Sequence, residues 1–385
     1  MPKIFIVGFL VAISQLVGVA TSSYLSVSNE HELLALWAKV ESILTIVTSI
    51  IFFGHQHYLN RELINHPSVE VKIRLVRNTQ ETMLPMSLVC AVLLLCIAVA
   101  QKETMFFWLA IASVLIGAAP VFSLYGLSKP IHAGFISLLK IGVPNLTVFL
   151  LAYFHAEEFG ILFFGIILAY VLAAIAVGII TQIGLKLPTI KFSKLKRYLS
   201  GYKLGVPSFA LTALRAAPVL TATILYPSES VVALILFYKY LLLGLGVKRL
   251  FVQTYYSKVG DKAGAIQIDL ICLALVVVVI GVMYLFSSEI MYITGFGEAQ
   301  MEFNACLVIV FLNFVGVSNG TRLILLNKDS FYLIIHMVSL AILAGFLFYS
   351  SVAEASIFVF YGGIVAELVL LMSALLGRVY YEMHA

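Results

Sequence analysis

Apolar runs of about twenty residues follow one another along the whole chain, with only short polar stretches between them. A bilayer's hydrocarbon core is about 30 Å thick and takes roughly 20 apolar residues per helix, so each run is long enough to cross it. A water-soluble domain has nowhere to bury so much apolar surface. The chain is 62% hydrophobic and only 11% charged, with a mean hydropathy of +1.06. These values define an all-α polytopic membrane protein.

The runs divide into twelve expected spans, 4–25, 33–53, 83–100, 105–125, 135–153, 159–183, 205–226, 231–247, 266–286, 303–321, 331–349 and 357–377. The first is read as a retained span, because no small-residue cleavage site follows it. Twelve spans put both termini on one side. Nineteen of the 24 Lys and Arg residues then fall on that side, Lys102 alone falls on the other, and four lie inside spans. The positive-inside rule makes the terminus side cytoplasmic.

The largest basic connection is "LKLPTIKFSKLKRYLSGYK", residues 185–203, whose six cations suit anionic headgroups. It separates an N-terminal lobe, 1–184, from a C-terminal lobe, 205–385, across a linker at 185–204, giving two lobes of six helices. A faint repeat agrees with that division. An offset of 198 residues places Ala35-Leu36 over Ala233-Leu234, Phe53 over Phe251 and Tyr58 over Tyr256. Both halves start from the same side, so the repeat is parallel, with its axis along the membrane normal.

Charges inside spans are costly and therefore informative. Arg215 stands in the middle of "GVPSFALTALRAAPVLTATILY", residues 205–226. Scales for a central arginine run from about 2.5 to more than 10 kcal/mol. Either Arg215 pairs with a carboxylate such as Glu367 or Asp269, or it faces a water-filled path and meets an anion. Pro207 and Pro218 in the same span bend the helix and free carbonyls. Lys239 lies within the eighth span, between Tyr238 and Tyr240. Lys39 and Glu41 lie in the second, two residues apart, so they point to opposite sides of a helix. Glu367 is near the middle of the twelfth, and His336 lies in the eleventh. Lys140, five residues into the fifth, is expected to snorkel to the surface.

The deep cations Lys39, Arg215 and Lys239 outnumber Glu41 and Glu367. That balance selects anions, and a diphosphate suits it, since Arg forks onto its oxygens and Lys adds a point charge. Cys90, Cys96, Cys272 and Cys306 all lie in apolar runs, as small hydrophobes do. No nucleotide-binding loop, metal motif or catalytic constellation is present, and neither a cofactor nor nucleic acid is expected. Energy for transport would come from a proton or sodium gradient, or from the substrate's own.

Three stretches resemble the polysaccharide or O-antigen repeat-unit flippases of the multidrug/oligosaccharidyl-lipid/polysaccharide (MOP) exporter superfamily. They are "FFGHQHYLNREL" (52–63), "LFSSEIMYITGFGEAQMEFNACLVIVFLNF" (285–314) with its Gly295-Phe296-Gly297-Glu298 core, and the basic linker running into "LGVPSFALTAL". The resemblance covers the whole twelve-span layout, while the motifs cover about a fifth of the chain. It implies a MATE-like, two-lobe, alternating-access fold in a bacterial inner membrane. The implied cargo is a polyprenyl-diphosphate-linked oligosaccharide, and polysaccharide polymerase machinery is an implied partner. Arg215 and Lys239, with Lys39, would hold the diphosphate. Tyr238, Tyr240, Gln15 and Asn145 would line the sugar's path. Glu41 and Glu367 are candidates for lining or ion coupling. A second reading is a multidrug exporter of organic cations using Glu41 or Glu367. A third, a membrane glycan polymerase or ligase, is opposed by external connections of at most 16 residues.

Overall fold

The computed structural model describes residues 2–65, 68–127, 129–155, 159–181, 202–241, 261–294, 299–353 and 357–383. Among them there is no strand. The helices are α1 (Pro2–Val27), α2 (His31–Phe52), α3 (His55–Asn65), α4 (Val69–Gln101), α5 (Thr104–Ala118), α6 (Ser123–Gly126), α7 (Pro130–Tyr153) and α8 (Phe159–Ile180). They continue as α9 (Tyr202–Leu225), α10 (232–241), α11 (Lys262–Leu285), α12 (Ser287–Thr294), α13 (Gln300–Phe314), α14 (Asn319–Leu325), α15 (Asp329–Ala353) and α16 (Ile357–Met383).

Each expected span has a helix at its place: α1, α2, α4, α5, α7, α8, α9, α10, α11, α13, α15 and α16. Among the described residues, eight helical segments are long and apolar enough to cross a membrane, counting Gln300–Leu325 as one. The bent pair Lys203–Ala213 and Ala216–Leu225, together α9, makes a ninth. The bend has a local cause. Pro218 cannot donate to the Leu214 carbonyl, and its ring crowds that oxygen. Pro207 lies inside the unbroken first half.

Several boundaries differ from expectation: α4 begins at Val69 rather than at 83, α13 ends at Phe314 rather than at 321, and prolines account for two more. The fourth span, expected to run to residue 125, ends as a helix at Ala118, because Pro120 bars the residue before it from helical geometry. The fifth starts at Pro130, whose missing N–H costs nothing in a first turn, rather than at 135. Lys140 is therefore well inside α7. Its ammonium sits 4.7 Å from the centroid of the Tyr170 ring on α8.

Helix ends that the span order places on one side do meet. Gln80 of α4 donates to the Ala118 carbonyl at the end of α5 (2.7 Å), and Lys129 donates to the Ile180 carbonyl at the end of α8 (2.7 Å). Both side chains satisfy carbonyls that a helix C-terminus leaves without a partner. At the opposite ends, Tyr226 donates to the Ser350 carbonyl (3.0 Å).

The helices cluster into two compact units, Met1–Gly18 with Ile43–Thr212, and Val19–Ser42 with Ala213–Ala385. The cuts fall inside α1, α2 and α9 rather than at 185–204, most of which lies outside the described residues. In the first unit α4 packs on α5, and α7 on α8. A small-residue core of Ala119, Val121, Leu124, Ala133, Ile136, Ala173 and Val177 joins α6, α7 and α8. In the second unit α15 and α16 pair along their length, and α13 packs against α16. Helix α11 leaves Leu270, Val278 and Leu285 exposed, as a lipid-facing helix does.

The turn between α2 and α3 shows why one glycine of "FFGHQHYLNREL" is required. Gly54 has φ +74°, and a Cβ there would lie 2.6 Å from the Gly205 nitrogen and the Leu204 carbonyl carbon. Backbone meets backbone, with Gln56 donating to Ser208 at 3.2 Å beside the contact. Gly54→Ala is expected to destabilise the protein by more than about 2 kcal/mol, from left-handed strain plus the clash. A fall in melting temperature and in monodisperse yield in detergent would register it, and an unchanged melting temperature would contradict it.

Candidate functional site

Most of the deep charges belong to the second unit. Helix α10 is apolar on nearly every side and is buried along its length, which carries Lys239 into the interior at 7% exposure. An ammonium placed there needs a counter-charge. Glu41 of α2 supplies it, accepting a hydrogen bond from Lys239 Nζ within an ion pair. Trp37 lies one helical turn before Glu41, on the same face of α2. Its ring stands 5.6 Å from Lys239 Nζ, so the ammonium has a carboxylate and an indole face as neighbours.

The paired residues are 198 apart, which is the offset of the internal repeat. The two positions correspond to each other under the repeat expected from the sequence. Lys39, two residues from Glu41, is half-buried on another side of α2.

Beside the ion pair, Tyr238 is buried and its ring meets Phe237 edge-on at 4.8 Å. Phe237 in turn meets Phe360 of α16 at 4.6 Å, and the Cys306 thiol of α13 points to the Phe237 carbonyl at 3.8 Å. The Tyr238 hydroxyl lies 3.9 Å from where a Cβ on Gly363 would stand. One turn further along α16 is Glu367, buried at 8% exposure and near enough to Tyr238 to interact electrostatically. Among the described residues no hydrogen bond or ion pair reaches Glu367. Tyr240 is half-buried. His336 is buried in α15 and bonded to the Tyr332 carbonyl at 2.8 Å, within its own helix.

Arg215 occupies α9 between the two bent halves. Its side chain lies outside the described residues, as do 182–201 of the basic linker and the Gly295-Phe296-Gly297-Glu298 core. In the first unit, Gln15 is half-buried on α1. Asn145 is buried on α7, where its amide donates to the Ile141 carbonyl at 2.8 Å. A Cβ on Gly18 would lie 3.5 Å from that amide, so α1 and α7 approach closely there.

The sequence did not reveal a second polar centre, at the other end of the same unit. Asp269 of α11 accepts from the Ser318 amide (2.8 Å), the Ser318 hydroxyl (2.7 Å) and Arg378 Nη1 (2.9 Å). Arg378 also donates to Asn319 and, through Nε, to Glu382, which pairs with Arg322 at 2.8 Å. Asp269 is thus engaged by Arg378 and Ser318. The available signal was Arg378 and Glu382 at i,i+4, just beyond the last expected span and within the final turns of α16.

Among the described residues, no group of three or more His, Cys, Asp or Glu side chains could hold a metal ion. No family model and no curated protein matches the chain. Solved structures do. A multidrug resistance MATE family transporter of the MOP superfamily, in an outward-facing conformation, superposes with a TM-score of 0.59 at 13% identity, covering 99% of this chain and 95% of its own. A MOP superfamily transporter from Pyrococcus furiosus gives a TM-score of 0.60 at 13% identity over 97% and 95%. A MATE bound to MaD3S gives 0.63 at 13% identity over 98% and 95%. With its helices matched from end to end, this chain is a polytopic membrane protein with the fold of the MATE transporters of the MOP superfamily.

Proposed function

We propose that the chain is a transporter that flips a polyprenyl-diphosphate-linked oligosaccharide, a surface-polysaccharide repeat unit, across a bacterial inner membrane by alternating access of its lobes 1–184 and 205–385. The observation that carries this reading is the charge balance deep in the second unit. Counted along the spans, the cations Lys39, Arg215 and Lys239 stand against the acids Glu41 and Glu367, an excess of one positive charge. A net positive interior attracts the diphosphate and repels organic cations. Arg215 adds the fork that phosphate oxygens prefer. The prenyl chain would stay in lipid while the sugar crosses among Tyr240, Gln15 and Asn145. Proton or sodium coupling would supply the energy, and polymerase machinery would take the product.

The second reading, a multidrug exporter, draws support from a neighbour that is itself described as a multidrug resistance transporter. Another neighbour is described as having a binding pocket of reverse polarity that suggests a different function, so the fold accommodates more than one cargo class. Engagement of Glu41 by Lys239 disfavours Glu41 as a cation-exchange site.

The test is genetic. A deletion strain is expected to accumulate lipid-linked oligosaccharide on the cytoplasmic face. Wild type should clear it, Arg215→Lys should clear it slowly, and Arg215→Ala should leave it. Full clearance by a well-inserted Arg215→Ala protein would remove Arg215 from the site. A deletion strain with normal surface glycan and new drug sensitivity would favour the exporter.

A further inference from the structure

A diphosphate head needs a cation, and Lys239 is one, yet it already holds an anion, Glu41. We propose that Glu41 is a place-holder: it neutralises Lys239 in the empty transporter and is displaced when a diphosphate head takes its position. The inference rests on the reading of this protein as a carrier of diphosphate-linked cargo.

Three observations carry it. First, Lys239 and Glu41 are unequally enclosed. The lysine side chain is 8% exposed and the glutamate side chain 25%, so the pair is sealed behind the ammonium and open on the carboxylate's side. An anion arriving from the open side meets Glu41 first. Second, Trp37 backs the ammonium at 5.6 Å and lies on the same face of α2 as Glu41. The indole can keep Lys239 in place when the carboxylate leaves. A simple structural ion pair has no need of that second support. Third, the two residues are 198 apart in sequence, on α2 and α10 of one compact unit. Breaking this pair frees a charge on each of two helices together.

The chemistry favours exchange. Glu41 offers one negative charge, with the advantage of being tethered close by. A diphosphate offers more charge and more acceptor oxygens to the same ammonium, which has three protons to donate. No covalent step is involved. The displaced carboxylate remains on α2, two residues from Lys39.

The chain has two tryptophans, and Trp108 is on α5 in the other unit. Trp108→Phe therefore leaves Trp37 as the only indole, beside Lys239. Purified full-length Trp108→Phe protein in nanodiscs is titrated with inorganic pyrophosphate and with geranyl diphosphate. A saturable change in Trp37 fluorescence is expected, and it should vanish in Lys239→Met. In Glu41→Gln the half-saturating concentration should fall about tenfold, because the competing anion is gone. Glu41→Asp, which keeps the charge but shortens its reach, should fall between and covers the case of a poorly folding Glu41→Gln.

Equal or weaker pyrophosphate binding in both Glu41 variants would overturn the place-holder role, as would an unchanged signal in Lys239→Met. A response to tetraethylammonium in place of pyrophosphate would overturn it too. The two readings fail separately. Fluorescence results as expected, from a protein that clears no lipid-linked oligosaccharide, would keep the place-holder and reject the flippase. Clearance in cells with no fluorescence response to diphosphates would do the reverse.

Discussion

Lys239→Met is expected to lower stability by about 3 kcal/mol or more, and adding Glu41→Gln to the same chain is expected to restore most of the loss. The single change leaves a carboxylate in a helix bundle with its partner gone. Removing one member of a buried pair costs more than the pair contributes, because the remaining charge is desolvated without compensation. The double change removes both charges. Met fills the volume of the lysine stem against Trp37, so packing survives. Thermal unfolding in detergent should show the single variant lowest, with the double variant recovering towards wild type. Additive losses in the double variant would mean that the two side chains act separately, and the pair would lose its place in the account.

Arg378→Met is expected to be at least as damaging, and no single second change should rescue it. Arg378 reaches Asp269, Ser318, Asn319 and Glu382, and so ties α11, the α13–α14 turn and α16 together. Its loss leaves Asp269 without its only cationic partner among the described residues. Arg378→Lys should recover part of the stability, since an ammonium cannot repeat the guanidinium's divergent geometry. Folded yield and melting temperature are the readouts. Wild-type behaviour of Arg378→Met would show that the network is dispensable. Any transport defect in these variants should track the amount of folded protein, because the network lies away from the deep charges.

The layout was legible in the sequence because the bilayer imposes one period and one length. Twelve apolar runs became twelve helix positions, and two of the misplaced edges fell at Pro120 and Pro130, where proline chemistry overrides hydropathy. Side-chain partners were less legible. Lys39 and Glu41 were read as pointing to opposite sides of one helix, and Glu41's partner came from α10, 198 residues away. The repeat offset already joined those positions, but nothing in a one-dimensional pattern says that equivalent positions touch. The Asp269–Arg378 centre was missed because each member, taken alone, reads as an ordinary interfacial charge. Function was legible as a class of fold, and the cargo has to be argued from the charge balance.

The most direct test of that argument is transport by purified protein in proteoliposomes carrying a fluorescent polyprenyl-diphosphate oligosaccharide. Access of a membrane-impermeant glycosidase to the inner-leaflet pool reports flipping. Wild type is expected to expose that pool under an imposed proton or sodium gradient, and an equally reconstituted Arg215→Ala protein is expected to leave it protected. A wild-type protein that leaves the pool protected while expelling an organic cation dye would contradict the account and make this chain a cation exporter.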